Sequence, residues 1–206
     1  MAHPNGLRNN GDADYQISAL LSARYNTLGV MKVRAIRTIA EVDDLVTSVT
    51  RSAERALSQL ARSAAENRGL QALWSMKFSP VGCDPLDADS PLNLIEQVNQ
   101  TFTYLASAKA VKLLLELHPE LAPFTVNLGT SPGSDIESES GTLAAEVFAA
   151  VNTSNNKKLA KDRNKVSQTG AQLKYVFFMC PGYEAGRQRK LEREVGVEIW
   201  AVGGTL

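Results

Sequence analysis

Histidine and cysteine are nearly missing from this 206-residue chain, at two of each. Zinc centres need three or four Cys or His ligands at close spacing, so two histidines and two distant cysteines exclude them. The same scarcity removes most nucleophile–histidine chemistry, because His3 stands near the chain start and His118 near an expected helix end. Cys83 and Cys180 are far apart in sequence, and two buried free thiols are expected rather than a disulfide. No apolar run approaches the roughly 18 residues of a membrane-spanning helix. The polar opening "MAHPNGLRNNGDADYQ" lacks the apolar core of a signal peptide. The expectation is a cytoplasmic protein with no membrane partner and a flexible stretch over residues 1–12.

Net charge is zero, but the charges are segregated. Residues 84–146 carry ten acidic and two basic side chains, and residues 157–194 carry ten basic and four acidic ones. An acidic segment followed by a basic one suits a metal site beside a polyanion-binding surface. It equally suits two solvated faces that neutralise each other.

Periodicity divides the chain into a helical region over 13–83 and an α/β core over 84–206. "DYQISALLSARYN" carries Ile17, Leu20, Leu21 and Tyr25 at helical spacing. Ile39, Val42, Val46, Val49, Ala53, Ala56 and Leu60 then form a heptad seam, within a stretch over 30–68 free of proline and glycine. That predicts a long helix able to pair with a second copy, to contact DNA, or to pack on its own neighbours. "SPVGCDPLDADSP" reads as a loop. Ser90 and Pro91 read as the N-cap and first residue of a helix whose inward stripe is Ile95, Val98, Phe102 and Leu105, ending before Pro119. Three strands follow as a meander: "FTVNLGT", "DIESES" and "LAAEVFAAV". A basic helix "SNNKKLAKDRNKVS", a strand "KYVFFMC", a helix "GYEAGRQRKLEREVG" and a strand "VEIWAV" complete the order.

Within the meander, Glu146 sits among Ala144, Ala145, Val147 and Phe148, where a charge is costly unless paired. Asp135, at the start of the second strand, comes beside the middle of the third. The two carboxylates can therefore meet, and a hard divalent cation resolves their repulsion.

From about residue 91 to 202, this element order and the motifs "GSDIES" and "AEVF" resemble the PD-(D/E)xK nuclease superfamily. The resemblance implies a restriction-endonuclease-like α/β core, a mixed central sheet flanked by helices, preceded here by the helical region. It implies a metal-dependent endonuclease acting on DNA, double-stranded in the usual case, and a restriction or defence role. It implies Mg2+, with Mn2+ as a substitute, held by Asp135, Glu146 and the Val147 carbonyl. Glu96, on the preceding helix, matches a further carboxylate that some members use. The pattern departs at Phe148, where the motif lysine belongs. Three readings follow: the lysine has moved to the next helix, with Lys157 and Lys158 ranked above Lys161; the reaction runs on metal alone; or the site is degenerate and the fold only binds DNA or a partner. Lys161, Arg163, Lys165, Arg187, Arg189 and Lys190 suit phosphate contacts. A homodimer with two sites is expected to cut two strands. The reading outside this resemblance is a coiled-coil-dimerised α/β protein with no nucleic acid partner.

Overall fold

Strand β1 (Val33–Ile36) opens the described part of the chain and ends where Thr38 caps a long helix, α1 (Ile39–Glu66). The cap is reciprocal. The Thr38 hydroxyl accepts from the Glu41 N–H at 3.3 Å, and the Glu41 carboxylate accepts from the Thr38 N–H at 3.0 Å. This computed structural model describes residues 32–193 and 196–204. The predicted helix over 14–26 and the flexible stretch over 1–12 lie outside the described residues.

After α1 come α2 (Leu70–Phe78), a hairpin of β2 (Gly82–Asp84) and β3 (Asp87–Leu92), and α3 (Leu94–Leu117). The meander is β4 (Phe124–Asn127), β5 (Ile136–Ser138) and β6 (Leu143–Ala149). Helix α4 (Lys158–Ser167), β7 (Leu173–Met179), a short β8 (Gly186–Arg187) and β9 (Val197–Ala201) follow. Seven strands form one mixed sheet in the order β1-β4-β5-β6-β7-β9-β8. Strands β6, β7 and β9 run parallel, and the remaining pairs are antiparallel.

Alternate side chains of β6 divide between two cores. Leu143, Ala145 and Val147 join α1 and α3 in the larger one. Ala144 and Phe148 join Leu159 and Val166 of α4 in the smaller one. The protein is thus α/β, with helices on both faces of the sheet. Residues from Val33 onward form a single compact unit. The expected boundary at 83/84 is not a domain division, because β1 pairs with β4 and α1 packs along α3.

Four local expectations are corrected. The middle of the α1 seam is spent within the chain, with Val42 and Val49 buried in the core beside Leu45, while Ile39 and Leu60 at its ends are exposed. Residues 82–92 form a hairpin rather than a loop, because Asp84 accepts the Leu86 N–H at 2.9 Å and closes a tight turn at Pro85. Asn93, not Ser90, caps α3, accepting from the Glu96 N–H at 2.9 Å. Its inward stripe runs through Leu94, Gln97, Thr101 and Leu105, so Ile95, Val98 and Phe102 face outward. Lastly, the described residues of the segment expected as a helix over 182–196 do not form one. They hold β8 and a 3-10 turn at Arg189–Leu191, with Gly186 at φ +131. That segment has almost no apolar stripe for a helix to bury.

Candidate metal-and-lysine site on the sheet

The pairing Ile136↔Ala145 and Glu137↔Ala144 fixes the register of β5 against β6. Continued by one residue, it sets Asp135 opposite Glu146. The Asp135 carbonyl accepts from the Asn127 N–H at 2.8 Å, which ties this residue to β4 as well. Gly133, at φ +115, makes the turn into the strand, and the Glu137 carboxylate accepts the Ser134 N–H at 2.9 Å to brace it. Glu137 is therefore a turn residue. Glu139 stands exposed.

Asp135 accepts the Val147 N–H at 2.7 Å. In a strand the N–H and C=O of one residue point to the same side, so the Val147 carbonyl faces the same way. Glu146 is only 2% exposed. One of its oxygens accepts from Lys165 Nζ at 2.8 Å, and the other, Oε1, is buried with no hydrogen-bond partner.

Lys165 arrives from α4. That helix is anchored on the sheet by Leu159 and Val166, and it lays Lys158, Asp162 and Lys165 along one stripe at i, i+4 and i+7. Lys158 Nζ pairs with Asp162 Oδ1 at 2.8 Å, and Asp162 Oδ2 is buried and unpartnered. The lysine that reaches Glu146 is thus Lys165, two helical turns beyond the positions favoured by sequence. Lys157 and Lys161 are exposed and make no contact with the acids, and Lys158 is engaged by Asp162. Phe148 explains the vacated strand position. It is 2% exposed and stacks on Phe178 with ring centroids 5.8 Å apart.

Burial pushes the Glu146 carboxyl up to about 7, and the Asp135 charge adds to the shift against the opposing hydrogen bond from Lys165. Burial also raises Asp135, opposed by the Val147 N–H and by the Lys165 and Lys158 charges. Asp162 is raised by burial too, against its bond to Lys158. Burial disfavours the Lys165 ammonium, but its hydrogen bond to Glu146 and the attraction of the three acids outweigh that and lift its pKa.

The other expected positions fall outside this group. Glu96 is exposed in the first turn of α3, a helix that packs in the other core. Arg187 is held by Glu192 and Glu198 and is not available as a phosphate ligand. Arg163 donates to the Leu191 carbonyl at 3.4 Å, tying α4 to the 3-10 turn. Arg189 and Lys190 stand exposed on that turn. Tyr183 packs edge-on against Phe178 and meets the Thr153 hydroxyl.

Sequence reasoning missed Asp162. Its signal was present, since Leu159, Asp162 and Val166 share the buried stripe of α4, and a charge within an apolar stripe is the feature that singled out Glu146. Among the described residues, no three His, Cys, Asp or Glu side chains converge as a ready-made metal cage. The chain matches no protein-family model, no curated protein and no solved structure.

Proposed function

We propose that the protein is a metal-dependent endonuclease acting on DNA, with a restriction-endonuclease-like PD-(D/E)xK core and Asp135, Glu146 and Lys165 at its centre. One observation carries the reading: Glu146 is buried opposite Asp135, with one oxygen on Lys165 and the other left without a partner. The element order supports it too, as a helix, an antiparallel meander, a helix and a strand parallel to the third of the meander.

The donors fit Mg2+, which takes one or two carboxylates and completes its shell with waters and substrate phosphate rather than with a protein cage. Asp135, Glu146 and the Val147 carbonyl would hold it, and Mn2+ shares this preference for oxygen. When bound, the ion would acidify water and offset charge on the phosphoryl group. Lys165 orients Glu146 and favours its ionised form, against the burial that raises its pKa. Its side chain is half exposed, so the same ammonium can also meet a phosphate oxygen or the attacking water from the solvent side. Lys157, Lys161, Arg189 and Lys190 are exposed cations on α4 and its flanking turns and suit backbone phosphates.

Supercoiled plasmid incubated with the protein in Mg2+, in Mn2+ or in EDTA tests this reading. The expected result is nicked and linear DNA with either metal and intact plasmid in EDTA. Binding that falls with salt, with no cleavage in either metal, would replace the nuclease by a DNA-binding protein of the same fold.

A further inference from the structure

The helices on the α1 side present an apolar surface that the fold leaves in water. Nine large apolar side chains between Leu57 and Phe102 are from 36% to 80% exposed. On α2 they form a continuous ridge of Leu70, Leu73, Trp74 and Phe78, with Ala72 the one buried residue of that helix. The Trp74 and Phe78 rings are 4.6 Å apart at the crest. Between α1 and α3 lies an apolar groove of about 190 Å³, walled by Leu57, Leu60, Val98 and Phe102. Val98 and Phe102 also wall a second cavity of about 550 Å³ at the ends of β6 and β7, floored by Ala150 and Met179. The two hollows thus share Val98 and Phe102 as lining residues.

We propose that this face is the interface of a homodimer, in which the aromatic ridge of α2 on one copy seats against the apolar groove of the other. Three observations favour a second copy as the occupant. The first is area. At about 150–250 Å² for a large side chain, the nine leave roughly 900 Å² in water. Monomeric proteins rarely expose a patch above about 600 Å², and a stable dimer needs about 800 Å² from each partner. The second is shape. A ridge and a hollow on one molecule allow an isologous pairing in which each copy gives a ridge and receives one. The third is charge. The three helices bearing these residues together hold seven acidic and six basic side chains. That balance repels neither copy, and it lacks the basic excess that a nucleic acid or an anionic lipid surface would require. The first half of the expected seam, Val42 and Val49, is buried in the core, and its second half, Ala53, Ala56 and Leu60, lines the groove.

Sedimentation equilibrium of the full chain tests the proposal, with Trp74 emission read on dilution. The expected species at about 50 µM has the mass of two chains, and Trp74 emission moves to the red as the dimer dissociates. Trp74→Glu and Phe102→Glu are both at exposed positions. Each should weaken association by about 100-fold or more while circular dichroism stays at the wild-type value and Tm matches that of wild type diluted until it is monomeric. A full chain that remains monomeric at about 50 µM overturns the proposal, and the face then serves another partner. A dimer that both variants form as readily as wild type also overturns it. Neither result depends on metal or on DNA cleavage, so this interface and the nuclease reading stand or fall separately.

Discussion

At the scale of single residues, Glu146 is the costliest group in the protein and the most informative. Its folded pKa of about 7 lies above the ordinary value of 4.5, so the folded chain holds a proton that the unfolded chain releases. Stability without metal is therefore greatest below about pH 4.5 as far as this group is concerned, and it falls as pH rises through 7, by on the order of 3 kcal/mol. Asp135 and Asp162 are raised as well and act in the same direction. In EDTA, Tm should drop between pH 5 and pH 8 in the wild type and drop less in Glu146→Gln. A wild-type Tm that rises across this range would contradict the assignment. The acids were legible in the sequence because a turn before Asp135 and apolar neighbours around Glu146 are local signals. Lys165 was not, because a lysine 19 residues from Glu146 approaches it only through the packing of α4 on β6. Phe148 left open which lysine approaches Glu146, and the fold brings Lys165 there.

At the scale of elements, the meander and its flanking strands follow from alternation, and the long helices follow from period and caps. The misread face of α3 has one cause: periodicity favours the most apolar stripe. On α3 that stripe is Ile95, Val98 and Phe102, and it faces water. The buried stripe is smaller and more polar because α1 and the β2–β3 hairpin pack close against it. Gln97 makes this possible. It is fully buried, accepts the Cys83 N–H at 3.1 Å, and donates toward the Ser52 carbonyl at 3.4 Å. Gln97→Leu keeps the volume but leaves the Cys83 N–H buried and unpaired. The expected cost is about 1–3 kcal/mol, read as a lower urea midpoint at unchanged m. Asn99→Ala, on the exposed face of the same helix, should change the midpoint by less than about 0.5 kcal/mol of equivalent stability. Equal effects from the two would remove Gln97 from its role.

At the scale of the whole molecule, the segregated charge of the sequence becomes spatial. The acidic meander and the basic α4 meet across one layer of the sheet, and part of the basic segment is consumed there. Lys158, Lys165 and Arg187 all pair with carboxylates. The exposed cations that remain should govern DNA affinity through counterion release. Lys161→Ala should weaken binding at every salt concentration and flatten the plot of log K against log salt by about one unit of slope. Glu146→Gln should leave that slope as it is. The α/β class and the order from α3 through the meander and α4 to β7 were readable because they depend on local periodicity. The union of helical region and core was not, because it rests on β1 crossing to β4 and α1 lying along α3, contacts between distant parts of the chain. The most direct test of the site is the initial rate of plasmid nicking in Mn2+ by wild type, Glu146→Gln, Lys165→Met and Lys161→Met, each first shown to be folded. The account expects no nicking by Glu146→Gln, a loss of about 100-fold or more in Lys165→Met, and a rate within a few-fold of wild type in Lys161→Met at saturating enzyme. Nicking by Glu146→Gln at the wild-type rate, or a larger loss in Lys161→Met than in Lys165→Met, would contradict it.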